Sequence, residues 1–307
     1  MRAMTCNCLI EYFSESMYYH FICIDLQEMR RWVLAASCIL TLCFSGDVSA
    51  QQSEVEGKKA RRVVALSSLS ADLVVSINPD VLIGVPGSSL TNQDPRYSGL
   101  KRVSNGRSQP SVELILALNP DLVIGAEGFH SRVLNALNKL GVQTLAIKVN
   151  RWDRLQQASR SLERRIVKAA SLDSRLSKLC PSKKSPNSSG SSVLILAGVS
   201  PKLSPGQQSW SGSLLDRLGL VNSTRGLPGS SEFSGYITMS NERLLAIKPE
   251  KVLVVNPAGD SAQMVRSLIP YFPGLKVRDF KVMDYYGLIN PGSLSSIQKA
   301  CTALSSL

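Results

Sequence analysis

Histidine is nearly absent from this chain: two occur among 307 residues, and His130 is the single one beyond residue 50. A serine hydrolase triad would need that histidine, and no Gly-x-Ser-x-Gly turn accompanies it. A dinucleotide site requires Gly-x-Gly-x-x-Gly after the first strand, where this chain has Ser67-Ser68-Leu69-Ser70, and no P-loop occurs. We therefore expect a protein that is not an enzyme and that uses no cofactor.

The start of the chain has two parts. Residues 29–50 begin with Met29-Arg30-Arg31, continue through an apolar run over Trp32–Phe44 and end in Val48-Ser49-Ala50, which is the pattern of a cleaved secretory signal. A retained anchor is the alternative, but the apolar run is shorter than the about 20 residues of a spanning helix. Residues 1–28 match no signal, and we interpret them as an over-extended N-terminus.

Cysteine is scarce once the leader is set aside. Five of the seven cysteines precede residue 50, which leaves Cys180 and Cys301. Neither Cys38 nor Cys43 follows a good lipoprotein signal, so we expect a soluble exported protein. In an oxidising compartment the two remaining cysteines are a candidate disulfide, although the sequence does not show that their Cα atoms come within reach.

The charge balance is strongly basic, with a formal net charge of +12 at pH 7. Such an excess favours anionic ligands or surfaces. Nucleic acid is not an expected partner, because the basic residues are spread over the chain without an aromatic-interleaved patch and because an export signal precedes them.

One phrase occurs twice. Glu113 opens Glu-Leu-Ile-Leu-Ala-Leu-Asn-Pro-Asp-Leu-Val-Ile, and Glu242 opens Glu-Arg-Leu-Leu-Ala-Ile-Lys-Pro-Glu-Lys-Val-Leu. In both copies a glutamate starts a short helix, a proline seven residues later ends it, and an acidic residue leads into an apolar strand. We infer two lobes built on one plan, with the two carboxylates at equivalent places.

Strand-like apolar runs alternate with helical patterns in both lobes. In the N-terminal lobe, residues 60–150, we predict strands at 61–66, 81–85, 122–125 and 143–149 and helices at 72–77 and 131–140. In the C-terminal lobe, residues 193–307, we predict strands at 193–197, 252–255 and 277–282 and helices at 214–218, 262–269 and 294–307. This order predicts an α/β fold with mainly parallel sheets that are covered on both faces.

Residues 151–182, between the lobes, carry apolar or small side chains at helical spacing from Leu155 to Leu179. We predict one helix over 153–180, about 40 Å long at 1.5 Å per residue, which is enough to bridge two lobes. An amphipathic helix on the surface of one lobe is the alternative. The position between the two copies of the repeat favours the bridge.

The chain resembles the solute-binding proteins of ABC transporters for vitamin B12, ferric siderophores and haem. The resemblance covers residues 60–307 and is carried by Arg62–Ser67, by Arg102-Val103 with the loop that follows, by the Leu-Asn-Pro-Asp-Leu-Val phrase and by Ser240–Leu245. It implies a periplasmic protein, expected to be a monomer, with two Rossmann-like lobes joined by one long helix and a ligand held in the cleft between them.

The resemblance also assigns a role to Glu113 and Glu242, which match the glutamates that dock into basic pockets of the membrane permease. The permease in turn implies an ATPase subunit as a further, indirect partner. Each glutamate has a local alternative. Ser111 and Ser240 stand two residues earlier, so each carboxylate falls in the first turn of a helix, where the helix dipole favours it.

The cleft of such a fold is lined by loops at the carboxyl ends of the strands. Those loops supply the candidate ligand-binding residues, which are Ser68, Arg107, Phe129 and His130 from the first lobe and Trp210, Tyr236, Tyr285 and Tyr286 from the second. Aromatic walls with a few polar or cationic groups suit a planar or chelate-type ligand. The metal-ion members of the family use several histidines, which this chain lacks, so no metal site is expected.

We therefore expect an exported subunit that captures a ferric siderophore, haem or cobalamin, with ligation of haem iron by Tyr285, Tyr286 or His130 left open. An exported sensor or partner-binding module of the same fold is the alternative. In some B12-binding members a disulfide ties the last helix to the second lobe. Cys301 matches one partner, Leu218 stands where the other would be, and either Cys180 substitutes or the bond is absent.

Overall fold

The short β-branched run Val63–Ala65 (β1) forms the centre of a five-stranded parallel sheet in the order β3-β2-β1-β4-β5. The other strands are Leu82–Val85 (β2), Lys101–Arg102 (β3), Leu122–Ala126 (β4) and Gln143–Ile147 (β5). Val63 and Ala65 pack into one hydrophobic core and Val64 into another, because successive side chains of a strand point to opposite faces. The predicted burial of this sheet on both faces is confirmed.

The computed structural model describes residues 58–105, 108–183, 190–198, 202–229, 231–232, 234–255 and 260–307. The predicted signal at 29–50, the segment 1–28 and Arg107 lie outside these residues. Among the described ranges, no helix combines the length and the apolar composition that a bilayer crossing requires.

In the described part of the first lobe, four α-helices accompany the sheet, and they are Ser68–Ile77 (α1), Ser89–Asn92 (α2), Val112–Leu116 (α3) and Ser131–Lys139 (α4). Helix α1 begins four residues before the predicted Asp72. The Ser67 hydroxyl accepts a hydrogen bond from the backbone N–H of Ser70 at 3.2 Å, which is the usual cap at the start of a helix.

The predicted single helix over 153–180 is wrong. Two helices occur instead, Trp152–Arg165 (α5) and Asp173–Leu179 (α6). At Ile166 the backbone becomes extended and pairs with Ala60, and the N–H of Ala60 donates to the carbonyl of Arg165 at 2.7 Å. The N–H of Val167 also donates to the carbonyl of Ala60 at 3.1 Å, so backbone bonds to Ala60 replace the helical ones, and both Ala60 and Ile166 are buried. Helix α5 alone is about 21 Å long.

The described residues of the second lobe form six strands, Ser192–Ala197 (β6), Leu203–Pro205 (β7), Val221–Asn222 (β8), Tyr236–Thr238 (β9), Lys251–Val255 (β10) and Phe280–Val282 (β11). The order is β11-β10-β6-β7-β9, with β8 paired to β6. Strands β11, β10, β6 and β8 run parallel to one another, whereas β7 pairs antiparallel with both β6 and β9. The fold is therefore α/β as predicted, with a mixed second sheet.

The helices of this lobe are Trp210–Arg217 (α7), Asn241–Ala246 (α8), Ser261–Leu268 (α9), Tyr285–Leu288 (α10), which is broken at Tyr286 and Gly287, and Leu294–Ser305 (α11). One hydrophobic core runs from the first sheet through α5 and α6 into the second sheet. Cys180, which follows α6, is bonded to Cys301 of α11, with Sγ–Sγ 2.02 Å and Cα–Cα 5.6 Å. The linker is thus packed against and bonded to the second lobe.

Candidate functional site

A cavity of about 990 Å³ lies between the two lobes, at the carboxyl ends of their parallel strands. Seven of the eight candidate ligand-binding residues line it, namely Ser68, Phe129, His130, Trp210, Tyr236, Tyr285 and Tyr286. The eighth, Arg107, is outside the described residues. Ligand sites are typically about 300–1,000 Å³, so this cavity has room for a large ligand.

Two serine hydroxyls form a polar edge on the first lobe. Ser68 begins α1, three residues after the end of β1, and its Oγ lies 2.6 Å from the Oγ of Ser88. The Ser88 hydroxyl in turn accepts from the N–H of Thr91 and caps α2. The two helix starts therefore hold a hydrogen-bonding pair at the wall of the cavity. Ser88 was not among the predicted residues, although its place after β2 follows the same rule that selected Ser68.

Phe129 and His130 occupy the turn between β4 and α4. Phe129 is 64% exposed, while His130 is only 4% exposed, and their rings meet edge to face with centroids 4.8 Å apart. The Nδ1 atom of His130 accepts a hydrogen bond from the backbone N–H of Ala126 at 2.9 Å. Burial lowers the pKa of His130 below its usual value, so the ring is neutral at pH 7.

Trp210 forms part of the second-lobe wall and also has a structural role. Its indole Nε1 donates to the carbonyl oxygen of Gly287 at 2.7 Å, and its ring stacks on Trp152 with centroids 6.2 Å apart. The guanidinium carbon of Arg217 lies 4.1 Å from the centroid of Trp152. Trp210 therefore links the cavity wall to the start of the linker.

Three tyrosines complete that wall. The Tyr236 hydroxyl donates to the carbonyl of Ile289 at 3.3 Å, and burial raises the pKa of Tyr236 to about 12. Burial also raises the pKa of Tyr285, and the neighbouring Tyr286 adds to that rise. The rings of Tyr285 and Tyr286 are 5.4 Å apart in an edge-on arrangement. Both Tyr236 and Tyr285 are thus neutral phenols.

The part of the cavity wall that the structure describes carries little charge. Among the described residues that line it, Lys148 is the one charged side chain, and its Nζ lies 3.3 Å from Glu127 Oε1. Lys148 follows strand β5 and could have been found by the rule that selected Ser68. Within the part of the chain that the structure describes, no three His, Cys, Asp or Glu side chains are grouped so that they could bind a metal ion.

Glu113 and Glu242 are outside the cavity and fully exposed. Ser111 caps α3 and Ser240 caps α8, each accepting the backbone N–H three residues later. The pKa of Glu113 is lowered by its own backbone N–H and by Ser111, and that of Glu242 by Ser240 and by its own backbone N–H. The two carboxylates are thus ionised and held in the same local geometry on each lobe.

A family model described as periplasmic binding protein matches residues 63–270. The chain belongs to the periplasmic binding protein family. Proteins of this family bind substrates, so the chain is a binding protein and not an enzyme, and the family implies a periplasmic or extracellular location. No relative was found among curated protein sequences.

Solved structures of this fold include proteins of three ligand classes. The catecholate-siderophore binding protein VctP of Vibrio cholerae is 15% identical, with 81% of this chain and 95% of that chain covered and a TM-score of 0.64. S. aureus IsdE complexed with heme is 20% identical, with 80% and 97% covered and a TM-score of 0.60. The vitamin B12 binding protein BtuF of Vibrio cholerae is 19% identical, with 80% and 97% covered and a TM-score of 0.57. At these identities the likeness shows the fold of this periplasmic binding protein and leaves its ligand open.

Proposed function

We propose that this protein is the substrate-binding subunit of an ABC importer and that it holds an iron chelate, either a ferric siderophore or haem, or a cobalamin in the cavity between its lobes. The observation that carries the proposal is the cavity itself, because aromatic side chains from both lobes line one space of about 990 Å³. The exposed rings of Phe129 and Tyr286 can stack on a planar or chelate-type ligand.

Delivery to a permease rests on the matched glutamates. Glu113 and Glu242 are exposed, ionised and presented by equivalent capped helices, one on each lobe. An exposed leucine accompanies each carboxylate, Leu114 in α3 and Leu245 in α8, the latter 60% exposed. Exposed apolar side chains beside charged ones are what a protein-binding surface requires.

The site of action follows from the leader. We propose that residues 29–50 direct export and are removed, so that the mature chain begins near Gln51 and works in the periplasm. Mass spectrometry of the protein recovered from the periplasm would give the first residue, and a retained apolar run would contradict cleavage.

The ligand is tested by tryptophan fluorescence of residues 51–307, which retain Trp152 and Trp210. Titration with ferric siderophores, haemin and cobalamin should give saturable quenching by one of them at submicromolar concentration, because Trp210 lines the cavity and stacks on Trp152. Silence across the panel, confirmed by calorimetry, would contradict capture of a chelate and favour the sensor or partner-binding alternative.

Docking is tested by charge reversal. Glu113→Lys combined with Glu242→Lys should abolish uptake and leave ligand affinity unchanged, because neither residue lines the cavity. Asp80→Lys with Glu250→Lys is the matched control, since both are exposed acidic residues, one on each lobe. Uptake that is equal in the two double variants would show that Glu113 and Glu242 do not dock a permease.

A further inference from the structure

Two hydrogen bonds with Ala126, the last residue of β4, hold His130 in place. The backbone N–H of His130 donates to the carbonyl of Ala126 at 3.0 Å, and the ring Nδ1 accepts from the N–H of Ala126 at 2.9 Å. Gly125 allows this approach, because a Cβ at that position would lie 2.8 Å from the Cβ of His130. The imidazole therefore has one orientation.

This hydrogen bond also sets the tautomer. An Nδ1 atom that accepts a hydrogen bond carries no proton, so the neutral ring carries its proton on Nε2. A metal bond needs a nitrogen lone pair, and the Nε2 of this tautomer has none available. His130 can donate a hydrogen bond through Nε2, but it cannot bind a metal there while the bond from Ala126 is kept.

The Nε2 donor belongs to a ring at the wall of the cavity. His130 lines the cavity, and its Nε2 has no hydrogen-bond partner among the described residues. Because the side chain is 4% exposed, little of the ring faces bulk water, and polar groups in such places are normally paired. An acceptor on the ligand would pair it.

Two tyrosines of the opposite wall, Tyr236 and Tyr285, are held as phenols. Iron is bound by tyrosine as phenolate, whereas the Tyr236 hydroxyl donates to the carbonyl of Ile289. Burial keeps Tyr285 in the phenol form at neutral pH. Tyr286, the more exposed of the three, is the remaining phenol and is included in the test below.

We propose that His130 donates a hydrogen bond to an acceptor oxygen on the organic part of the ligand, and that the cavity takes chelates whose metal coordination is already complete. This inference rests on the proposed function. The ligand class that we propose for this cavity comprises hexadentate siderophore complexes and corrinoids with both axial positions filled. Haem with an open iron position falls outside this class, because His130 adds no bond to the metal through Nε2.

His130→Asn tests the donor. The asparagine Oδ1 can take the place of Nδ1 and accept from Ala126, while no donor remains at the Nε2 position. We expect about tenfold weaker ligand binding with an unchanged melting temperature, since one hydrogen bond of ordinary strength corresponds to about tenfold in affinity. His130→Phe, which loses both bonds, should lower affinity and melting temperature together.

The metal is tested with four probes: the ferric and gallium(III) complexes of one tris-catecholate, cyanocobalamin and haemin. If the ligand is a siderophore, we expect the ferric and gallium(III) complexes to bind with Kd values within about threefold of each other. If the ligand is a corrinoid, we expect cyanocobalamin to bind with an unchanged visible spectrum. The ¹⁵N spectrum of residues 51–307 contains one imidazole, that of His130, and should show the Nε2–H tautomer with and without ligand.

The outcomes separate the two proposals. If none of the four probes binds the wild-type protein, the proposed function fails and this inference with it. If a probe binds but His130→Asn binds it equally well, the inference alone fails. Haemin binding with a Soret band of a histidine or tyrosine ligand, lost in His130→Asn or in Tyr286→Phe, would also overturn the inference while supporting the proposed function.

Discussion

The carboxylate of Asp72 in α1 accepts a hydrogen bond from the backbone N–H of Leu294, the first residue of α11, at 2.6 Å. The other carboxylate oxygen lies 2.8 Å from Nη1 of Arg96. Asp72 belongs to the first lobe and Leu294 to the second, and Asp72 is 2% exposed. A buried charge therefore joins the two lobes on a side distinct from the ligand cavity.

Removing this carboxylate should destabilise the protein. We expect Asp72→Ala to lower the free energy of unfolding by about 2–4 kcal/mol, because it leaves the N–H of Leu294 without its acceptor and Arg96 without its buried partner. Urea denaturation measures this. Asp173→Ala, which breaks an exposed pair with Arg160, is the control and should cost less than about 1 kcal/mol. Equal losses in the two variants would contradict the role of Asp72.

Gly287 holds the cavity wall in place. Its φ of +91° favours glycine, and a Cβ there would lie 2.0 Å from the carbonyl oxygen of Ser296. Since the Gly287 carbonyl also accepts from Trp210, Gly287→Ala should cost about 3 kcal/mol or more and shift the tryptophan emission. Gly274→Ala is the matched control, because nothing lies within 4 Å of its Cβ position. It should stay within about 0.5 kcal/mol of wild type.

The lowered pKa of His130 makes stability depend on pH. The ordinary value is 6.5, so below pH 6.5 the unfolded chain binds a proton that the folded ring resists, and stability falls as pH is lowered. Wild type should therefore lose more free energy of unfolding than His130→Asn between pH 7.5 and pH 5, while the carboxylates contribute equally to both. Parallel pH profiles would show that His130 titrates alike in the folded and unfolded states.

The parallel strands could be predicted from sequence because their apolar runs report burial directly. Val63–Ala65 and Leu122–Ala126 are short, β-branched and buried on both faces, which is the composition that a covered parallel strand needs. Strands β7 and β9 have three residues each, and such short pieces give no periodic signal. Their antiparallel pairing was therefore missed, although β9 begins with the predicted Tyr236.

In the linker, the helical spacing of apolar residues led to the wrong prediction of a single helix. Leu162, Leu172 and Leu176 are all buried as the pattern indicated, but the same spacing continues through a segment that is not helical. What ends α5 is the pairing of Ile166 with Ala60, a contact between residues 106 positions apart that no local pattern contains. The hydrogen bond from Leu294 to Asp72 likewise joins residues that are far apart in the sequence.

The location of the candidate site could be predicted from the sequence, whereas the hydrogen-bonding state of its side chains could not. The carboxyl ends of β1, β4 and β5 lead into Ser68, Phe129 and Lys148 because the topology of a parallel sheet brings such loops together. The acceptor state of His130 Nδ1 depends on one backbone N–H, that of Ala126, and only three-dimensional geometry reveals it.

The Cys180–Cys301 bond closes a covalent ring around the chain between the two cysteines, which are 121 positions apart, and this ring contains strands β6 to β11 of the second lobe. A protease that cuts the chain once anywhere inside this ring releases no fragment, because both new ends remain attached through the sulfur bridge. Under reducing conditions the same cut would divide the molecule in two. The oxidised protein thus keeps both walls of its cavity in one covalent molecule after a nick.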